Sequence, residues 1–96
     1  MPTGAGRSPR KPRSAVLSAR FLDEVGAWIA TNPKIAGKLV RIMGATMRDP
    51  FTGLGKPEPL KGDLTGFWSR RLTDVDRIVY EVTDTAINFV QCKYHY

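Results

Sequence analysis

A single cysteine, Cys92, and a single histidine, His95, are all that the 96 residues hold of either type. One thiol can form no internal disulfide and no cysteine-based metal cluster. No run approaches the ~18 consecutive apolar residues that cross a bilayer, and no apolar signal-peptide core follows Met1. Cys92 lies in an apolar strand pattern, which reads as a small buried side chain rather than a reactive thiol. A reducing cytoplasm is the expected setting, with no membrane partner. Acid is also missing from the first fourteen residues, where Arg7, Arg10, Lys11 and Arg13 supply +4 of the +6 net charge. From Ala15 onward only +2 remains. Global basicity therefore says little about the folded part, and local clustering matters more. Lys56, Lys61, Arg70, Arg71 and Arg77 form one such cluster. Its plain reading is solvated surface unless other features converge on it.

A composition of 42% hydrophobic and 25% charged residues fits one globular domain with a modest core. Residues 1–13, rich in Pro, Gly, Arg and Ser, read as a flexible basic extension, and 14–96 as the folded domain. Ala15-Val16-Leu17 predicts a first strand. Ser18 caps a helix over roughly 19–30, with Phe21, Leu22, Val25, Trp28 and Ile29 on its apolar face. Asn32-Pro33 is a second start signal, an N-cap followed by proline at the first helical position. The second helix runs to about Met47, with Ile35, Leu39, Ile42 and Met43 on one side. Lys34, Lys38 and Arg41 fall on the other, read as solvated surface or a partner site. A helical hairpin packed on a sheet follows.

Residues 49–66 carry four glycines and three prolines, which predicts a long irregular loop. Pro57 and Pro59 flank Glu58 and restrict the backbone around it, as a catalytic carboxylate would require. Taken alone, Glu58 is an ordinary solvated loop carboxylate. Three strands come next, about 67–72, 77–83 and 86–93, separated by Asp-rich turns. In the last hairpin Arg77 and the tail that holds His95 lie at the same end of the sheet. Whether they share a face depends on a register that the residues do not fix. Core packing is expected for Phe67 and Tyr94, with Trp68 facing the other way.

Lys56-Pro57-Glu58-Pro59-Leu60-Lys61, Gly66-Phe67-Trp68-Ser69-Arg70-Arg71, Arg77-Ile78-Val79-Tyr80 and Tyr94-His95-Tyr96 resemble the successive motifs of the YoeB toxins. These belong to the RelE-like group of bacterial type II toxin–antitoxin systems. The resemblance runs without gaps from about Arg13 to the end, with Leu17 standing where some relatives have an aromatic residue. It implies an α+β fold of the RelE-like microbial-RNase kind, two N-terminal helices on a mainly antiparallel twisted sheet. It also implies an endoribonuclease that cuts mRNA in the ribosomal A site. The implied partners are a YefM-type antitoxin, the 70S ribosome with its mRNA, a second copy as a homodimer, and operator DNA only through the antitoxin complex. Carried over residue by residue, Glu58 matches the general base, His95 the general acid and Arg77 the transition-state arginine. Lys61 and Arg71 match positions near the phosphate, and Tyr96 the terminal tyrosine; Lys56 adjoins them as a further substrate-binding candidate.

The residues permit that chemistry without a metal or cofactor. RNA supplies its own nucleophile, the 2′-hydroxyl, and each proton-transfer group contributes roughly 10²–10⁴-fold in rate. The expected products are a 2′,3′-cyclic phosphate and a 5′-hydroxyl. Tyr96 also fits stacking on an unpaired base. The competing expectation is a non-catalytic binding module on the same fold, a gyrase-poison-like protein or one that binds operator or RNA only in an antitoxin complex.

Overall fold

The computed structural model describes residues 12–94. Strand β1 (Ser14–Leu17) leads into helices α1 (Ala19–Thr31) and α2 (Pro33–Arg48). A long loop then reaches β2 (Glu58–Pro59), and a 3-10 turn (Gly62–Leu64) precedes β3 (Phe67–Arg71), β4 (Arg77–Val82) and β5 (Ala86–Gln91).

Both helices begin where side chains satisfy orphan backbone donors. Ser18 Oγ accepts from the Phe21 N–H at 3.0 Å and donates to the Val90 carbonyl at 2.9 Å, so the cap also ties α1 to β5. Asn32 closes one helix and opens the next. Its N–H donates to the Trp28 carbonyl at 2.8 Å while its Oδ1 accepts from the Ile35 N–H at 3.3 Å. Pro33 sits in the first turn, where a missing N–H costs nothing.

The five strands lie in the order β1-β5-β4-β3-β2. Only β1 and β5 run parallel; β5–β4, β4–β3 and β3–β2 are antiparallel. The helices cover one face of this sheet. Phe21, Trp28, Leu39 and Ile42 meet Leu72, Ile78, Tyr80, Ile87 and Phe89 there, all buried. Each such side chain contributes about 1.5–3 kcal/mol relative to exposure, and together they fix which sheet face looks inward.

Several details differ from the expectations. Leu22 and Ile29 are 60% and 59% exposed, because Phe21, Val25 and Trp28 alone make the stripe that faces the core. Phe67 and Trp68 are reversed. Fully buried Leu72 sets the phase of the segment, and the two-residue period puts Trp68 and Arg70 on the same inner face. The Trp68 ring packs 5.1 Å from Phe51, and Phe67 turns to the outer face. Tyr94 is 62% exposed rather than part of the core. Glu58, expected in an irregular loop, lies on a two-residue edge strand. Proline is tolerated there because an edge leaves N–H positions unpaired.

Candidate functional site

The outer face of the sheet, opposite the helices, carries the polar residues. Glu58 pairs with Ser69 across β2–β3, and Arg71 pairs with Arg77 across β3–β4. These four side chains therefore point the same way. Like charges directly opposite one another on a sheet are destabilising, and Arg71 against Arg77 is such a pair. Glu58 Oε1 stands 3.9 Å from Arg77 Nη1, an ionic contact too long for a hydrogen bond. With the Glu58 side chain 61% exposed, the contact contributes little to stability, on the order of 0–1 kcal/mol. Arg77 is mostly buried, and among the described residues nothing accepts a hydrogen bond from its Nη1. The buried Ser69 hydroxyl is likewise unpartnered.

The loop that delivers Glu58 is held from inside the protein. Arg70 is fully buried and, among the described residues, forms no ion pair with a carboxylate. Its Nε donates to Tyr80 Oη at 3.0 Å, Nη1 to the Leu54 carbonyl at 2.9 Å, and Nη2 to the Asp49 and Thr52 carbonyls at 2.6 and 3.0 Å. Tyr80 Oη in turn donates to the Pro50 carbonyl at 2.7 Å. Burial raises the Tyr80 hydroxyl above its ordinary pKa, against the pull of the Arg70 guanidinium. Asp49 begins the loop. The Phe51 N–H and the Thr52 hydroxyl hold its carboxyl below the usual range. At the far end the Gly55 carbonyl accepts from the Arg71 N–H at 2.6 Å. Gly55 has φ +83°, and a Cβ there would stand 3.0 Å from the Arg71 carbonyl, so the approach requires glycine. Lys56 follows at φ +53°, an uncommon conformation for a residue with a side chain.

The tail is clasped from three sides. Glu24 Oε1 accepts from the N–H groups of Cys92 and Lys93 at 2.7 and 3.2 Å. Trp28 Nε1 donates to the Cys92 carbonyl at 2.9 Å, and Lys93 Nζ lies 4.5 Å from the centre of the Trp28 ring. The Tyr94 N–H donates to Asp76 Oδ1 at 2.6 Å, and the Tyr94 carbonyl accepts from the Arg77 N–H at 3.3 Å. Asp76 is itself fixed by the Thr73 hydroxyl at 2.7 Å. The chain thus arrives beside Arg77 at Tyr94. His95 and Tyr96 lie outside the described residues. Cys92 is enclosed, and burial pushes its thiol up to about 12.

Residues 17–96 match the family described as the YoeB-like toxin of bacterial type II toxin–antitoxin systems. The chain belongs to this family. A toxin YoeB from Escherichia coli is 49% identical over 81 residues, which covers 84% of this chain and 96% of that protein. Two solved structures from Staphylococcus aureus superpose closely. One is a YoeB dimer, with TM-score 0.80, 32% identity, and 88% of this chain and 99% of that one covered. The other is a YoeB–YefM complex, with TM-score 0.78, 34% identity, and 88% and 98% covered.

In this YoeB-like toxin, Glu58, Arg71 and Arg77 come together on one face. Lys61 is exposed on the other flank of Glu58, and with Pro59, Leu60 and Leu64 it lines a shallow depression of about 410 Å³. Lys56 borders a different hollow, on the α2 side of the loop. Arg70 leaves the expected basic cluster altogether, since its charge is spent on backbone carbonyls. Its position two residues from Trp68 and from Leu72 was the available signal, because period-two alternation puts all three on one face. Asp76 and Glu24, which anchor the tail, carried no signal at all: their partners are backbone N–H groups far along the chain.

Proposed function

We propose that this toxin is a ribosome-dependent endoribonuclease that cleaves mRNA at the A-site codon and so stops translation. The observation that carries the reading is the Glu58 carboxylate 3.9 Å from Nη1 of the Arg77 guanidinium, an atom with no hydrogen-bond acceptor among the described residues. A carboxylate that can take a proton thus lies beside a guanidinium charge that a phosphate would meet. Glu58 removes the proton of the 2′-hydroxyl, whose oxygen attacks the adjacent phosphorus. Arg77, with Arg71 and Lys61 nearby, stabilises the negative charge that builds on the non-bridging oxygens. His95, next after the clasped Tyr94, protonates the departing 5′-oxygen. The products are a 2′,3′-cyclic phosphate and a 5′-hydroxyl. Lys56 and Tyr96 contact the substrate strand.

Residues 14–96 form the toxin domain in this reading, and residues 1–13 an extension that chemistry does not need. The partners are a YefM-type antitoxin, a second copy of the chain and the 70S ribosome, with operator DNA reached only through the antitoxin complex. Its setting is the bacterial cytoplasm. The test is single-turnover cleavage of one message at physiological salt, with and without ribosomes, followed by mapping of the ends. Rapid cutting at the A-site codon and slow, scattered cutting of free RNA are expected, because positioning supplies much of the rate in such reactions. Equal rates would refute ribosome dependence. Glu58→Ala and His95→Gln should each lower the rate by about 10² or more with an unchanged circular dichroism spectrum. Wild-type rates from either variant would favour a binding module instead. Removal of residues 1–12 should leave the rate unchanged.

A further inference from the structure

Around the edge of β3 from Glu58, between α2 and the loop, lies a hollow of about 380 Å³. Ile42 and Leu54 form its apolar floor, and Lys38, Arg41, Lys56 and Arg71 contribute to its lining. No carboxylate among the described residues borders it. Among the described residues Arg41, Lys56 and Arg71 make no ion pair, and Lys38 Nζ is held at one wall by the Leu72 carbonyl at 2.7 Å. With four basic residues in its lining, the hollow has a local excess of positive charge that an anionic ligand relieves. An apolar floor under cationic walls suits a nucleotide, whose base and sugar need contact and whose phosphates need charge. The volume is within the range of sites for small molecules, roughly 300–1,000 Å³.

Two of the four cations connect this hollow to the catalytic face. Arg71 pairs with Arg77 across the sheet, and Lys56 lies two residues before Glu58. Arg71 belongs to both, so a strand that passes Arg77 has a cationic route into the hollow. An acidic peptide would satisfy the charges but gains nothing from continuity with Arg77.

We propose that the hollow is a second nucleotide subsite, which holds an RNA nucleotide flanking the one that is cut. It rests on the ribonuclease reading for the course of the strand past Arg77, and it adds Arg41, Lys38, Ile42 and Leu54 to the residues that recognise RNA.

The experiment is fluorescence anisotropy with single-stranded 2′-O-methyl oligoribonucleotides, which bind but cannot be cleaved, over a series of lengths and salt concentrations. Exposed Arg41 on α2 can be changed without disturbing the core, and Arg41→Gln and Arg41→Glu are compared with the wild-type protein. On a long oligonucleotide, Arg41→Glu should weaken binding about ten-fold, and the slope of log K against log salt should fall by about 0.7 for the lost phosphate contact. Arg41→Gln should fall between. On an oligonucleotide too short to span both sites the three proteins should bind alike. Equal affinity and slope on the long RNA would overturn the subsite, as would equal losses on short and long RNA, which indicate a diffuse charge effect. A glutamate-rich peptide that binds wild-type protein but not Arg41→Glu, with RNA binding unchanged, would also overturn it in favour of a protein partner. Cleavage on ribosomes is measured alongside. Normal cleavage by the wild-type protein without the Arg41 effect removes only the subsite, whereas the Arg41 effect without cleavage removes only the ribonuclease reading.

Discussion

Replacing Arg70 by Met tests whether the interior of the protein holds the loop that delivers Glu58. Arg70 donates four hydrogen bonds, three of them to carbonyls of Asp49, Thr52 and Leu54. An intramolecular hydrogen bond to a charged donor is worth about 1.5–3 kcal/mol, and an unsatisfied buried acceptor costs about 1–3 kcal/mol. The three carbonyls belong to exposed residues, so they can turn to water once the guanidinium is gone. Loss of the buried charge also removes its desolvation cost. The net loss should therefore be about 2 kcal/mol, a fall of roughly 8–16 °C in Tm for a domain of this size. The larger effect is local. Without Arg70 the segment 49–57 is held by the Tyr80–Pro50 bond and the Phe51–Trp68 contact at its start, by the Asp49 carboxyl, which accepts from the Phe51 and Thr52 N–H groups, and by the Gly55–Arg71 bond at its end. Amide exchange of residues 51–56 should then approach that of an open loop, while β4 and β5 remain protected. A misplacement of about 1 Å at Glu58 can cost on the order of 10² in rate. Single-turnover cleavage should thus fall far more than the folded fraction at the assay temperature. Arg70→Lys, with three donors on a narrower head, should lie between. Arg70→Met with wild-type Tm, exchange and cleavage rate would refute the inference that this arginine positions the loop.

Gly55→Ala should destabilise the fold by about 1–3 kcal/mol, since it puts a Cβ at positive φ beside the Arg71 carbonyl; a denaturant midpoint equal to wild type would contradict the close approach. Cys92 should resist thiol reagents in the native protein at pH 8 and react at the rate of opening, which labelling followed by mass spectrometry measures. Its raised pKa also sets a sign. The folded state keeps the thiol proton, so this contribution to stability is whole below the ordinary value of 9.0 and is lost as pH climbs toward about 12. Denaturant midpoints from pH 8 to 11 should fall more steeply for wild type than for Cys92→Ala, and parallel curves would count against it. Asp49 has the opposite sign: its depressed pKa stabilises the loop above the usual carboxylate range and is lost as pH falls through the folded value. Asp49→Asn should therefore flatten acid unfolding, and an unchanged acid transition would argue against the Phe51 and Thr52 donors.

The helices were legible in the residues because their boundaries are local chemistry. Ser18 and Asn32-Pro33 announce their caps within four residues, and the caps form as read. The strands from Phe67 onward were legible for the same reason, since turns and alternation are short-range signals. The site was legible as a set of residue types and illegible as a geometry. Glu58 reaches Arg77 only because β2 joins the sheet beside β3, and a two-residue strand between prolines has no alternation to read. The inward face of Arg70 was masked by its charge. Nothing around it in sequence indicates that backbone carbonyls sixteen to twenty-one residues away would solvate it. Tyr94 misled because an aromatic residue after an apolar strand looks like core, whereas the Asp76 bond to its N–H turns the chain outward.

The parallel pairing of β1 with β5 governs when the fold can be completed during synthesis. Strand β1 is among the first folded segments to be synthesised, yet its partner begins only at Ala86. The Ser18 cap waits for Val90, seventy-two positions later, and the Glu24 clasp waits for Cys92 and Lys93. Contacts this distant in sequence form late, because loop closure must precede any gain from them. A nascent chain that stops before Ala86 has its helices and the Glu58 loop but no β1 partner and no docked tail. Synthesis therefore yields an incompletely folded polypeptide for most of its length. The complete fold is reached late, once the residues from Ala86 to Lys93 are available to pair.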